Sequence, residues 1–297
     1  MRQWKIIGVG SGWGARDMGT ADGPKVLFDQ IPKYFQIFPK ALTYWHKHPL
    51  GFSLSVPLSS LEATLHADHV LEVVAHLCDQ AKVTIQRGEI PLVLGGDHSI
   101  AIGTWSGVKA ALPEENMGLI WIDAHMDAHI PQTSPSLNIH GMPVAILLGH
   151  GDTCFTHLGK EAPKIQPENL CLIGIRSFEK GEADLLKELG VKIYSMAEVE
   201  ERGFSVVFEE ARNKITARRF GLSIDVDAFD PEEAPGTGTP EIAGLKLKDV
   251  KNALWKLGHD PQFLALEITE FNPHKDLENK TSQLVWDLVS IITGEVI

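Results

Sequence analysis

The chain reads as an α/β protein, a three-layer α/β/α arrangement with a mostly parallel central sheet, and three observations predict it. Short apolar runs without polar alternation recur along the sequence, as in strands buried on both faces. Segments suited to helices separate them, and such alternation implies right-handed βαβ crossovers. Several runs end in carboxylates and imidazoles, where open α/β sheets place their ligands.

The first strand, Trp4–Val9, follows a short polar start with no signal-peptide stretch. The glycine-rich segment Gly8–Gly14 hints at a dinucleotide loop, but Asp17 through Pro24 is turn-rich where that fingerprint requires a helix. His46 and His48 alternate in a loop and carry no assignment. A long helix is expected over Leu61–Gln86; its His66, His69 and His76 stand amid Leu and Val at helical spacing and read as partly buried surface residues. Strand Pro91–Leu94 leads to helix Ile100–Ala111, strand Gly118–Asp123 to helix Pro143–Leu148, and strand Leu170–Ile175 to helix Gly181–Leu189. Strands Val191–Tyr194, Phe220–Asp225 and Phe263–Ile268 follow, with helices Phe204–Ile215, Leu247–Leu257 and Leu277–Ile292. The acidic Glu198–Glu201 cluster reads as a solvated face. Three long loops, Met126–Met142, Gly149–Gln166 and Asp230–Gly244, stand out. Loops of this length are usually functional, so they are expected to wall a pocket.

Composition bounds the function. At 297 residues, without repeat, low-complexity run or linker, residues 1–297 are expected to form a single domain. Hydrophobic residues make up 43% and charged residues 22%, enough for a core and unlike a disordered chain. The net charge of −12 disfavours nucleic acid and anionic membranes and favours a cationic small molecule. No apolar run reaches the roughly 18 residues of a membrane helix. Cys78, Cys154 and Cys171 form no Cys-x-x-Cys pair, and their odd number argues against a disulfide scaffold and for buried thiols in a reducing compartment. A cytoplasmic protein is expected.

Three polar segments carry the chemistry: Gly95-Gly96-Asp97-His98, Asp123-Ala124-His125-Met126-Asp127 and Ser223-Ile224-Asp225-Val226-Asp227. Asp-x-His-x-Asp on extended backbone puts alternate side chains on one side of the chain, and Asp225-x-Asp227 repeats the pattern. With His98 they make a six-ligand set, His98, Asp123, His125, Asp127, Asp225 and Asp227, enough for two adjacent ions. Carboxylates so close could not ionise together without cations between them. Four carboxylates and two imidazoles without thiolate suit Mn(II), or Co(II) and Ni(II) as substitutes, better than structural zinc. A divalent pair would lower the pKa of a bridging water and yield hydroxide near neutral pH.

These segments resemble the ureohydrolases, the arginase and agmatinase family of di-manganese amidino hydrolases. The likeness also covers Gly19-Thr20-Ala21-Asp22-Gly23-Pro24, Ser136 to Pro143, Ala234-Pro235-Gly236-Thr237-Gly238-Thr239-Pro240 and Glu270-Phe271-Asn272-Pro273. It implies two Mn2+ per subunit, an arginase-like fold, and a homo-oligomer, often a trimer or hexamer. It also implies cleavage of a guanidino substrate by a metal-bridging hydroxide, with Asp127 as ligand and acid/base. His98, Asp123, Asp127 and Asp227 would fall to one ion or bridge, and His125 and Asp225 would complete the pair. Glu270 matches the carboxylate that grips the guanidinium, and His140 the loop histidine that shuttles protons or touches substrate. Thr239 would support the guanidinium or Glu270, and Asp230 a turn or the surroundings of the ligands.

The spacing from Asp127 to His140 looks more like arginase than agmatinase, and the implied reaction is L-arginine to urea and L-ornithine. Departures lie at the amino-acid end. His129 stands where arginases carry Asn against the substrate carboxylate, and Glu179 where they carry Asp against the α-amino group. Ser136 and Asn138 match the arginase loop, but Leu137 replaces its usual Gly. Agmatine or a shorter guanidino acid is the alternative substrate. A zinc-dependent acyl-amine deacetylase of the same fold would need only an Asp-x-His plus Asp set, and a non-catalytic relative would not need the full ligand set.

Overall fold

A computed structural model describes residues 3–30, 43–45, 66–159 and 162–294. Its centre is an eight-stranded sheet: β1 (Trp4–Val9), β2 (Thr43–Trp45), β3 (Ile90–Gly95), β4 (Met117–Ile122), β5 (Leu170–Ile175), β6 (Lys192–Ser195), β7 (Arg219–Asp225) and β8 (Phe263–Thr269). The order across the sheet is β2-β1-β3-β8-β7-β4-β5-β6, and every described pairing is parallel. The expected strands are all present to within a few residues, and β2 adds a short edge strand that carries no long apolar run.

Helices cover both faces, as the unalternating strands require. Ile6, Leu92, Ile120, Ile122, Leu222 and Ile268 face one core, closed by α1 (Gly23–Asp29), α7 (Met196–Arg202), α8 (Phe204–Lys214), α9 (Leu247–Leu254) and α10 (Lys280–Thr293). Their neighbours Val93, Leu119, Trp121 and Leu172 face the other side, under α2 (Ala67–Gln86), α3 (Ala101–Ala111), α4 (Pro143–Leu147) and α6 (Lys180–Leu189). A short helix α5 (Thr153–Thr156) interrupts the loop after α4. The expected helix Leu61–Gln86 is described from residue 67 onward; its first residues lie outside the described residues, as do His46 and His48. The Glu198–Glu201 cluster belongs to α7, whose Val199 is buried while its acidic side faces solvent. No helix of the described residues is long and apolar enough to cross a membrane. The three cysteines are free, and burial pushes the Cys78 thiol up to about 11.

The chain runs outward from β4 to β5 and β6, then returns to lay β7 and β8 between β4 and β3. Four neighbouring strands, β3, β8, β7 and β4, therefore end side by side at the switch in strand order.

Candidate functional site

Each of these four strand ends contributes. Behind β3, Asp97 Oδ1 accepts the Ser99 amide at 3.0 Å and Oδ2 the Gly14 amide at 3.0 Å, so it caps a turn and presents His98. Gly96 permits this: a Cβ there would lie 1.7 Å from the Ser11 carbonyl oxygen. Behind β4, Asp123 accepts the His125 amide at 2.7 Å and the Trp121 indole N–H at 2.9 Å. Asp225 Oδ1 accepts the Asp227 amide at 2.8 Å behind β7. Two carboxylate residues of the site sit on left-handed backbone, Asp127 at φ 48° and Glu270 at φ 65°. Such conformations cost about 1–3 kcal/mol and concentrate at functional sites.

All six expected ligands converge. His98 Nδ1 lies 3.2 Å from Asp123 Oδ2, 3.1 Å from Asp127 Oδ2 and 3.1 Å from Asp225 Oδ2. His125 Nδ1 lies 3.1 Å from Asp227 Oδ2 and 3.5 Å from Asp123 Oδ1. Asp123 thus joins two sub-clusters. The grouping differs from the expected one: Asp225 stands beside His98, and Asp227 beside His125. The swap follows from the alternation along the segment, which Asp227 leaves by entering a 3-10 turn after β7.

The donor set fits two divalent cations. His98 is fully buried, and its Nδ1 has no hydrogen-bond partner among the described residues although three acceptor oxygens surround it. Only a proton or a cation can reconcile them. Burial opposes charge on His98, yet the three carboxylates hold its pKa well above the ordinary range. Burial and the Asp123 charge push Asp127 up to about 6, and burial with the Asp227 charge raises Asp225 well above the usual carboxylate range. Hard oxygen and imidazole ligands with no thiolate suit manganese among the available ions.

Beside the ligands opens a cavity of about 220 Å³, lined by Asp127, Asp225, Asp227, His125, His140 and Glu270 at one end and His129, Ser136, Ser177, Glu179 and Glu182 at the other. Glu270 is buried, and its Oε1 accepts the His98 amide at 2.8 Å and His140 Nδ1 at 3.0 Å. Burial disfavours the His140 imidazolium, but Glu270 outweighs it and lifts His140 to about 9. Thr239 also lines the cavity, but its hydroxyl donates to Asp227 Oδ2 at 2.9 Å rather than to Glu270. The Gly236–Pro240 turn brings it closer to the β7 ligand than to the β8 carboxylate. Asp230 holds the turn below, accepting the amides of Glu232 and Gly244 at 3.0 and 3.2 Å.

At the far end His129 Nε2 lies 3.0 Å from Glu179 Oε2 and 3.3 Å from Glu182 Oε2. Glu182 escaped the sequence reading because it looked like an ordinary residue of α6. It caps that helix reciprocally with Glu179 and accepts the Ala128 amide at 3.0 Å; burial pushes it up to about 8. The capping spacing of Glu179 and Glu182 was its available signal. Asn138 stands back from the cavity, nearly buried, with its Oδ1 unpartnered among the described residues.

Arg176 also went unassigned. Its guanidinium donates to Asp227 O at 2.7 Å, Glu241 O at 2.9 Å, Ile242 O at 3.0 Å, Gly174 O at 3.2 Å and Ala228 O at 3.3 Å. One side chain therefore ties the end of β5, the Asp225–Asp227 segment and the loop that walls the cavity.

Comparison with known proteins places this arrangement. Residues 2–294 match the family model described as "Arginase family". The chain is 44% identical to an arginase of Bacillus caldovelox over 240 residues, 80% of this chain and 78% of that relative. The solved native arginase of Bacillus caldovelox superposes with a TM-score of 0.89 at 37% identity, covering 100% of both chains. An Entamoeba histolytica arginase solved with L-ornithine superposes with a TM-score of 0.86 at 28% identity over 99% of both chains.

Proposed function

The chain belongs to the arginase family, and on that premise we propose that it hydrolyses the guanidinium group of L-arginine to urea and L-ornithine. The observation that carries the proposal is a single cavity with the converging ligands and Glu270 at one end and a polar set suited to an amino acid at the other. His98, Asp123, Asp127 and Asp225 would hold one Mn2+, and Asp123, His125 and Asp227 the other. When bound, the pair supplies a water acidic enough to act as nucleophile near neutral pH.

The remaining work falls to the protein's own side chains. Glu270 Oε1 is occupied by His98 and His140, which leaves Oε2 to receive the guanidinium and hold its carbon toward the ligands. Asp127, at the cavity wall, holds the attacking water by hydrogen bond and passes its proton to the leaving nitrogen as the C–N bond breaks. His140, kept protonated by Glu270, is placed to relay a proton to the departing amine. At the far end Glu179 accepts the α-ammonium in place of His129, and His129, so released, donates with Ser136 to the α-carboxylate.

Residues 1–297 act as one catalytic domain in this reading, since the ligands all come from one continuous sheet. A cytoplasmic homo-oligomer, trimer or hexamer, completes it, supported by the free cysteines, the acidic charge and the family. The test is urea release by manganese-loaded protein from L-arginine, agmatine and guanidinobutyrate in parallel, with metal-stripped protein as control. Manganese-dependent urea from arginine is expected; turnover of another guanidine alone would overturn the substrate.

A further inference from the structure

Glu267 lies in the middle of β8, fully buried in a strand otherwise made of Phe, Leu, Ala, Ile and Thr. No side chain forms an ion pair with it among the described residues, and His98, beyond Ser223, is its nearest positive charge. Instead three donors converge: Ser223 Oγ at 2.8 Å and Trp105 Nε1 at 3.1 Å on Oε1, and Thr104 Oγ1 on Oε2. Trp105 arrives there because Gly221 has no side chain; a Cβ would lie 2.2 Å from its ring. A buried carboxylate with no ion partner is costly, so such an arrangement calls for a purpose beyond packing.

We propose that Glu267 is a positioning residue that acts through Ser223 to keep the Nδ1 lone pair of His98 turned toward the metal. The inference rests on the reading of the centre as a two-ion site. Ser223 Oγ lies 3.0 Å from His98 Nε2, and its single proton is committed to Glu267. As a carboxylate oxygen Oε1 can only accept, so the Trp105 indole N–H and the Ser223 hydroxyl both donate to it. Ser223 therefore has only lone pairs to offer His98, and Nε2 must carry the proton. Nδ1 is left as the ligand atom, pointing at Asp123, Asp127 and Asp225. The Trp121 ring, stacked 4.0 Å from the His98 ring at 11°, fixes the imidazole plane, and the relay fixes its proton. Second-layer contacts of this kind typically change metal affinity by about 10–100-fold.

The polarity of the relay gives the test. In E267Q the amide oxygen must still face Trp105, so Ser223 keeps its orientation and both ions should stay bound. In E267M the hydroxyl is released and can donate to Nε2, which drives the ring proton onto Nδ1. Ion content is measured by metal analysis after gel filtration, affinity by competition with a chelator, and the spin-coupled manganese pair by electron paramagnetic resonance. Wild type and E267Q are expected to carry two ions. E267M and S223A are expected to hold the His98-side ion about 10–100-fold more weakly, with the paired signal replaced by that of an isolated ion. If E267M does not fold, the double variant E267Q/S223A decides: it should bind metal as S223A does, because Glu267 acts only through Ser223. Two tightly held ions in S223A and E267M, or a double variant that binds metal more weakly than S223A, would overturn the proposal. A wild type that takes up fewer than two ions would overturn the two-ion reading itself, and this inference with it.

Discussion

Arg176 offers a sharp quantitative test of how the site is held together. Replacing it by alanine removes donors from five carbonyls. Those of Glu241 and Ile242 belong to an exposed loop and can rehydrate. The Ala228 carbonyl keeps the Leu245 amide at 2.9 Å. Asp227 O and Gly174 O remain, both in buried residues and both losing the Arg176 donor. At about 1–3 kcal/mol for each orphaned acceptor, the loss is about 4 kcal/mol. For a chain of this size that corresponds to a fall in Tm of about 8 °C. R176K restores one or two of the bonds and should lose about half as much, since an ammonium cannot span the fork. Thermal unfolding of the metal-stripped proteins measures the stability term. Chelator competition should then show the Asp227-side ion held about tenfold more weakly, because the carbonyl anchoring that ligand is free. An R176A protein that melts within about 2 °C of wild type, with unchanged ion affinity, would refute this reasoning.

Three further outcomes are expected. Stripping the metals leaves four neighbouring aspartates facing one another; at an ion concentration 100-fold above Kd each site adds about 2.7 kcal/mol. Tm should therefore rise by about 10 °C on manganese titration, and a flat melting curve would sink the metal reading. E270Q removes the anion that grips the guanidinium and should lower kcat/KM by about 100-fold or more while both ions remain; an unchanged value would remove Glu270 from the substrate site. In metal-free protein His140 has its pKa raised to about 9 by Glu270, so its contribution to stability is full below pH 6.5 and is lost as pH rises through 9. The Tm of H140N should fall less than that of wild type between pH 7 and 10, and parallel curves would contradict the pairing.

How much of this was legible in the sequence differs from residue to residue. The strands and the six clustered side chains at their ends were readable because burial on both faces forces uninterrupted apolar runs, and the polar residues at their ends then stand out. Strand order was not readable, since parallel pairing joins residues such as Ile224 and Ile268 that no local pattern relates. Which carboxylate stands beside which imidazole was not readable for the same reason: it depends on where β4 and β7 sit beside each other. Glu182 hid in a helix of ordinary composition. Glu267 had a signal that went unread, a single charged residue inside an apolar strand. Arg176 had none, because its partners are backbone carbonyls, which every residue possesses.

The position of β7 and β8 between β3 and β4 bears on how the molecule is made. As the chain leaves the ribosome, β3 and β4 emerge early, yet they must not zip together. A gap two strands wide has to stay open until the last third of the polypeptide arrives. During that interval two apolar edges are exposed, each competent to capture the wrong neighbour or another nascent chain. Glu270, which follows the final strand, is among the last site residues to be synthesised. The finished site geometry is therefore assembled late, and truncation anywhere before β7 removes the wedge that keeps the two halves of the sheet apart.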